Sequence, residues 1–494
     1  MNGRDIEVPD EGASLLDVLR ERLGLKSAKD GCSPQGQCGC CTVLVDGAPR
    51  VACVTPARRV AGRDITTLEG LATADRWATA FAATGASQCG FCTPGIIMRL
   101  SALPDPTNTR AVEQALLAHL CRCTGWRTIL GTAPDADTPA ATHNLVADRR
   151  AALEGHNPQR TGPQTAKGEG GFADDTAPAD ALVAVPDNQG GWAVGESLHE
   201  ARAKAGKVQG RRSGGRITHP IDVPPGDWLR TLRTTWVEPA YLEPDASWCR
   251  PGEDPHTPLA NGGAFGGKVE SDAPGAAKQL ADKYKRPVRV VYSREDTIRR
   301  GPKRPPIAAG ITQDGTGTIR VARTAGIADA IHAYAPHLAV EEVDVSGPRT
   351  SAALRAAGWA EAAVLLQPET VIAPNGASAS AAVNQDHITV RVSCGDPLDA
   401  TTLRSYCIGA AHMALGWVTS EAIAVDDDGE PQDLTIRSFG ILRAKDMPAV
   451  DVVIEPSESE PVNGSDAVFA AVAAAAWQTS GYGQDWPTNR GGRQ

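Results

Sequence analysis

The chain has 494 residues, 41% of them apolar, and a formal net charge of −10 from 49 basic and 59 acidic side chains. A chain of this size supports about three domains with buried cores, and its acidic balance offers no global positive field to nucleic acid or an anionic membrane. No apolar run approaches the ~18 residues of a membrane span and the N-terminus lacks a secretory apolar core, so the sequence reads as cytoplasmic, with neither nucleic acid nor membrane as partner.

Twelve cysteines in a chain without an export signal read as metal ligands rather than disulfides, and nine of them fall between Cys32 and Cys123. Taking the chain in order, Leu15, Leu16, Leu19 and Leu23 lie at helical spacing, ended by Gly24. The first cysteine loop follows, and Thr42 to Val45 then alternates into an Asp46-Gly47 hairpin turn that brings Cys53 back towards Cys41. A plant-type [2Fe–2S] loop runs C-x4-C-x2-C with a distant fourth ligand, because a tight glycine-bearing loop must aim backbone N–H groups at the cluster sulfurs. Cys38-x2-Cys41 and Cys53 fit that frame, whereas Cys32 to Cys38 is C-x5-C, one residue longer. Cys40 is a fifth thiol, read as a bystander that could still replace a neighbour as ligand. A zinc site or reduced structural thiols is the competing reading.

The second group is Cys89-x2-Cys92 with Cys121-x-Cys123. Thr93 and Pro94 are expected as N-cap and first helical residue, and Val112, Leu116, Leu117 and Leu120 give an apolar helical face ending at Cys121. The tight Cys121-x-Cys123 spacing suits tetrahedral zinc less well than it suits an iron–sulfur cluster. From Gly131 to about Gly171 the chain is rich in Thr, Pro, Ala, Asp and Gly without sustained periodicity, and is expected to be a linker. Further on, Gly262 to Lys268 fits a nucleotide phosphate-loop frame, but Val269 occupies the place where such a loop needs Ser or Thr for magnesium.

Both cysteine groups, in this order, with Gln88-Cys-Gly-Phe-Cys-Thr-Pro-Gly95 and Cys121-Arg-Cys-Thr-Gly125, resemble the iron–sulfur region of the xanthine dehydrogenase/aldehyde oxidase (molybdenum hydroxylase) family. The resemblance implies an α+β multidomain chain. Residues 1–68 would form a plant-ferredoxin-like β-grasp domain, 69–131 a four-helix [2Fe–2S] domain, 132–167 a linker, and 168–494 a shortened mixed α/β molybdopterin-binding unit. By carry-over Cys32, Cys38, Cys41 and Cys53 hold an outer [2Fe–2S] cluster, and Cys89, Cys92, Cys121 and Cys123 an inner one. Gln88 would touch the pterin of a molybdenum cofactor, and the run containing Gly262, Gly263, Phe265, Gly266 and Gly267 would lie beside that cofactor. There glycines would let backbone amides approach an anionic group.

Leu354-Arg355-Ala-Ala-Gly-Trp359 resembles the segment in which an arginine lines the substrate channel, although an Arg in an Ala-rich stretch is usually a solvated face. Gly464-Ser465-Asp466 resembles the segment carrying the catalytic glutamate, with Ser465 at that place. Serine is a poor base at neutral pH, which leaves Asp466 as the neighbouring acid. The structural reading makes Ser465 the N-cap and Asp466 a first-turn acid of the helix ending near Trp477. Of Glu238 and Glu243 in Trp236–Pro244, which corresponds to the family's channel segment is open. His332 and His337 are spaced too far apart for a helical metal pair, and Cys249, Cys394 and Cys407 are expected as buried fillers.

The activity implied is a molybdenum-dependent hydroxylase acting on a small-molecule aldehyde or N-heterocycle. Electrons would pass from inner to outer cluster and on to a separate flavoprotein subunit or other redox acceptor, in a homo- or hetero-oligomer. The alternative is a two-cluster electron-transfer protein with a degenerate molybdopterin unit.

Overall fold

The computed structural model describes residues 1–9, 12–134, 144–187, 189–206, 215–256 and 263–489. The first unit is built on a three-stranded sheet in which Thr42–Val45 runs antiparallel to both Ala48–Val51 and Ile65–Thr66. The turn between the first two strands is Asp46-Gly47, both at positive φ (50° and 76°), the conformation that matches a two-residue hairpin to strand twist. Under this sheet lie Leu15, Leu16 and Leu19, on a short helical segment opened by a Ser14–Asp17 capping box.

The second unit contains the helices Ala74–Ala83, Thr93–Leu100, Thr109–Ala115 and Arg127–Leu130. Cys92 takes the cap position of the Thr93–Leu100 helix, one residue earlier than the sequence suggests, so Thr93 is already helical. Its neighbour Pro94 costs no hydrogen bond in a first turn whose N–H groups have no helical partner. Gly95 meets the first unit at close range: a Cβ there would stand 2.3 Å from the Gly39 carbonyl oxygen.

The stretch expected as a linker is, over Leu145–Gly155, a helix. Ahead of the buried terminal Gly155, its buried positions are Ala147, Arg150, Ala151 and Glu154, an i, i+3, i+4, i+7 face with charges in half its places. Apolar periodicity is therefore absent although the geometric periodicity is present. Arg150 and Glu154 are completely buried and joined by an ion pair of 2.8 Å, and Arg150 also donates to the Pro397 and Val462 carbonyls. That segment is thus part of the core.

The remainder carries three four-stranded sheets among the described residues, each mixing parallel and antiparallel pairs. The long helix Ala400–Thr419 packs along the Ala-rich helix Ser465–Thr479, with Trp417 stacked on Phe469 at a ring separation of 5.2 Å. Gly409 lets the long helix lie directly on the inner cysteine loop, since a Cβ there would overlap the Cys123 carbonyl. Cys249, Cys394 and Cys407 are buried, as expected of fillers. No helix among the described residues is long and apolar enough to cross a membrane.

Candidate functional site

The hairpin and the preceding loop bring Cys32, Cys38, Cys41 and Cys53 together, all buried. Cys32 Sγ accepts from the backbone N–H groups of Gln35 at 3.2 Å and Gln37 at 3.5 Å, and Cys41 Sγ from that of Cys53 at 3.4 Å. The hydrogen bonds of Cys38 and Cys53 hold the Cys32 thiol well below its ordinary range. The same contacts work in reverse on the partners: Cys32 and Cys40 push the Cys38 thiol up, and Cys32 and Cys41 push up Cys53. Four sulfurs crowded in this way cannot all ionise unless a cation neutralises them, and amides aimed at sulfur are what an iron–sulfur cluster requires. Cys40 is fully buried in contact with Cys38, and both sulfurs would stand 3.2 Å from a Cβ on Gly31.

The second unit places Cys89, at a loop, and Cys92, at a helix cap, opposite Cys121 and Cys123. Cys89 and Cys123 sulfurs are 3.6 Å apart, and Cys121 Sγ lies 3.1 Å from the Thr124 hydroxyl. Hydrogen bonds from Cys123 and Cys92 lower the Cys121 thiol, while Cys92 and Cys123 are raised by the Cys121 contact. The inner thiols form one connected group, Cys121 touching both Cys92 and Cys123, and Cys123 touching Cys89 in turn. Four thiolates shared two to each iron is the division a two-iron cluster makes.

A small cavity adjoins the inner cysteines, lined among others by Arg122, Glu238, Phe265, Arg355 and Met413. Arg122, between Cys121 and Cys123 in sequence, donates to Pro239 O at 2.8 Å and from Nη2 to Glu421 Oε2 at 2.8 Å. Gly263 completes the contact on the other side, a Cβ there standing 3.3 Å from Cys123 Sγ. Of the two glutamates left open by the sequence, Glu238 faces this cavity and pairs with the buried Arg294. Glu243 faces a different cavity and is bound to Lys268 at 2.8 Å; burial pushes it up to about 7 against the pull of that lysine.

Arg355 is buried rather than solvated. It stacks on the Phe265 ring at 3.7 Å from the centroid and is bound by Asp466 and Ser465: Nε donates to Asp466 Oδ1 at 2.9 Å and Nη2 to Ser465 Oγ at 2.8 Å. The C-terminal helix is therefore capped differently from the sequence expectation. Ser465 is its first helical residue, with its hydroxyl turned to Arg355, and Asn463 Oδ1 accepts the Asp466 N–H at 3.0 Å. The Glu154 carboxylate takes the N–H groups of Gly464 at 3.1 Å and Ser465 at 2.8 Å, an anion on the positive end of the helix.

The second oxygen of Asp466 lies 2.9 Å from Nε2 of the exposed His156, which the sequence reading missed. Burial opposes ionisation of both partners. Their mutual hydrogen bond and charge overcome it, so the imidazole is raised and the carboxyl held low. A histidine that ends a helix in the left-handed conformation, as His156 does at φ 60°, carries no motif that a sequence could show.

The glycine run does not offer an open row of amides. Gly262 lies outside the described residues. A Cβ on Gly266 would overlap the Ala353 carbonyl, one on Gly267 would stand 2.5 Å from Pro239, and the Gly267 N–H is spent on Ala264 O at 2.8 Å. These two glycines serve the packing of the chain against itself. Gln88 donates to Cys123 O and Ser405 Oγ, both at 3.0 Å, while its Oε1 and the nearby buried Tyr406 hydroxyl find no partner in the protein. Such unfilled hydrogen-bonding capacity beside the inner cysteines is what an organic cofactor lying against them would use.

Two family profiles match the N-terminal quarter: a 2Fe-2S iron-sulfur cluster binding domain over residues 1–63 and a [2Fe-2S] binding domain over residues 67–133. The fold and the paired cysteines thus define a two-cluster iron–sulfur protein. The xanthine dehydrogenase iron-sulfur-binding subunit of Escherichia coli O157:H7 is 42% identical over 134 residues, covering 26% of this chain and 83% of that protein. The nicotinate dehydrogenase small FeS subunit of Eubacterium barkeri is 43% identical over 126 residues, 24% of this chain and 79% of that one. The solved aldehyde oxidoreductase from Desulfovibrio gigas shares the fold at a TM-score of 0.73 and 15% identity, over 99% of this chain and 98% of that one. The chain belongs to the xanthine dehydrogenase/aldehyde oxidase family of oxidoreductases, and carries its two [2Fe–2S] domains.

Proposed function

We propose that the protein is a molybdenum hydroxylase that oxidises an aldehyde or N-heterocycle and passes the electrons through the inner and then the outer cluster. The observation that carries this reading is the position of Arg122, which follows one inner ligand cysteine, precedes another, and lines the same cavity as Arg355 and Phe265. Chemistry in that cavity would take place one residue from the inner cluster. Phe265, on the cavity wall, and Gln88, whose Oε1 has no protein partner beside the inner cysteines, would hold a molybdenum–pterin group, with Gly263 leaving room against Cys123, and that group would supply the oxygen transfer and accept the substrate's electron pair. The chain's own contribution is to orient. Arg355, fixed by Phe265, Ser465 and Asp466, presents a cation to the cavity, and the ion pair of Asp466 Oδ2 with His156 Nε2 links that arginine to an exposed histidine.

A second reading is an electron-transfer protein whose molybdenum site is silent. The engagement of both Asp466 oxygens and the self-packed glycines favour it. Metal analysis with an activity assay separates the two: molybdenum near one per chain with benzaldehyde-dependent dye reduction supports the hydroxylase, and iron without molybdenum supports the second reading. The electron acceptor in either case is a flavoprotein subunit or other external redox partner.

A further inference from the structure

The loop between Cys32 and Cys38 is one residue longer than the plant-type frame, and the structure shows where the added length goes. Ser33 (φ 49°) and Gly36 (φ 69°) within it take the left-handed conformation. Gln35 then pairs with the C-terminal unit as a strand residue would, its side-chain Nε2 donating to Leu434 O at 2.9 Å and its Oε1 accepting the Ile436 N–H at 3.1 Å. The next residue of that segment is Arg437. Its backbone N–H donates to Gln37 Oε1 at 3.3 Å, its Nε to Gln37 O at 3.0 Å, and its Nη2 to Leu117 O at 3.2 Å. The guanidinium is therefore anchored on the peptide next to the ligand Cys38, and on the second iron unit through Leu117. Gln35 and Gln37 are also the two residues whose amides point at Cys32 Sγ.

We propose that Arg437 is a positioning residue that fixes a positive charge against the outer cluster and so raises its reduction potential relative to the inner one, with Gln35 holding the segment in place. Reduction adds one electron and one negative charge to the cluster without making or breaking a bond, and a fixed cation nearby stabilises the charged product. The effect is the one that makes the outer cluster the downhill acceptor. The charges of Cys38 and Cys32 are among those Arg437 senses, after burial and the repulsion of Arg443. This inference rests on the outer-cluster assignment and is independent of molybdenum.

The test is an EPR-monitored redox titration of the full-length protein and of three variants. In Arg437→Gln the ratio of reduced outer to reduced inner cluster at a fixed potential should fall roughly fivefold, with the inner midpoint unmoved. Arg437→Lys, which keeps the charge, should recover most of that ratio, and Gln35→Ala, which removes hydrogen bonds but no charge, should change it less than Arg437→Gln does. An unchanged ratio in Arg437→Gln, an equal shift at both clusters, or a Gln35→Ala shift as large as that of Arg437→Gln overturns the proposal. If Arg437→Gln loses the outer cluster, Arg437→Lys decides: a ratio near wild type supports the charge, and a fivefold fall contradicts it. A wild-type protein with no outer-cluster signal would refute the cluster assignment itself, a separate failure.

Discussion

Arg355 and Asp466, separated by 111 positions in sequence, meet through a 2.9 Å hydrogen bond in the core, and this pair ties the cavity-lining turn to the start of the C-terminal helix. Both groups are nearly inaccessible, so their value lies in being paired. Asp466→Asn leaves the Arg355 cation without its counter-charge, and breaking one partner of a buried pair costs about 3–5 kcal/mol. Chemical denaturation should show a loss of that order, and a change within about 0.5 kcal/mol would mean the pair is not formed. Arg355→Met, which matches the apolar stem, should cost less than Asp466→Asn.

The His156–Asp466 contact gives stability a definite pH dependence. The folded imidazole is raised above its ordinary 6.5, so its stabilisation is complete below pH 6.5 and disappears as pH rises through the folded value. Thermal denaturation of wild type and His156→Gln should therefore differ at pH 5.5 and converge at alkaline pH. A difference that is the same at both ends would contradict the ion pair.

The two cysteine groups sit in separate units, and a ligand change in one should leave the other intact. Cys121→Ser should remove the inner cluster signal from the EPR spectrum of the reduced protein and preserve the outer one. Cys40→Ala should preserve both, because Cys40 contacts only Cys38 among the outer sulfurs and the other four thiols remain to hold the cluster. Two distinct signals in Cys121→Ser would show the ligand set to be wrong.

The units are joined at very close range where Gly95 faces Gly39. Gly95→Ala forces a methyl group within 2.3 Å of a backbone oxygen, which cannot swing away as a side chain could. Overpacking of this kind costs about 1–3 kcal/mol. A stability loss of that size, measured by denaturant titration at constant iron content, is the expected outcome, and an unchanged midpoint would show that the interface is looser than described.

The sequence was informative where chemistry is written in residue type and spacing. The two cysteine groups, the Asp46-Gly47 turn and the extent of the C-terminal helix could all be read from local pattern, because thiol spacing, positive φ and helical period are properties of neighbours in the chain. What escaped was determined by distant partners. Glu154 caps a helix that begins 311 positions further along the chain, at Ser465, and its own helix places charge beside alanine on the buried face. Arg355 reads as solvated by composition and is buried because Phe265 and Asp466 come from elsewhere to meet it. The glycine run suggested an open cradle, while Ala353 and Pro239, which close it, lie far from it in the chain.

The most direct test of the account is the metal content and EPR spectrum of the full-length protein purified without air from iron-replete cells. The arrangement of the eight thiols predicts about four iron atoms per chain and, on reduction with dithionite, two distinguishable [2Fe–2S] signals. A colourless protein holding zinc or no metal, with a silent spectrum, would contradict it.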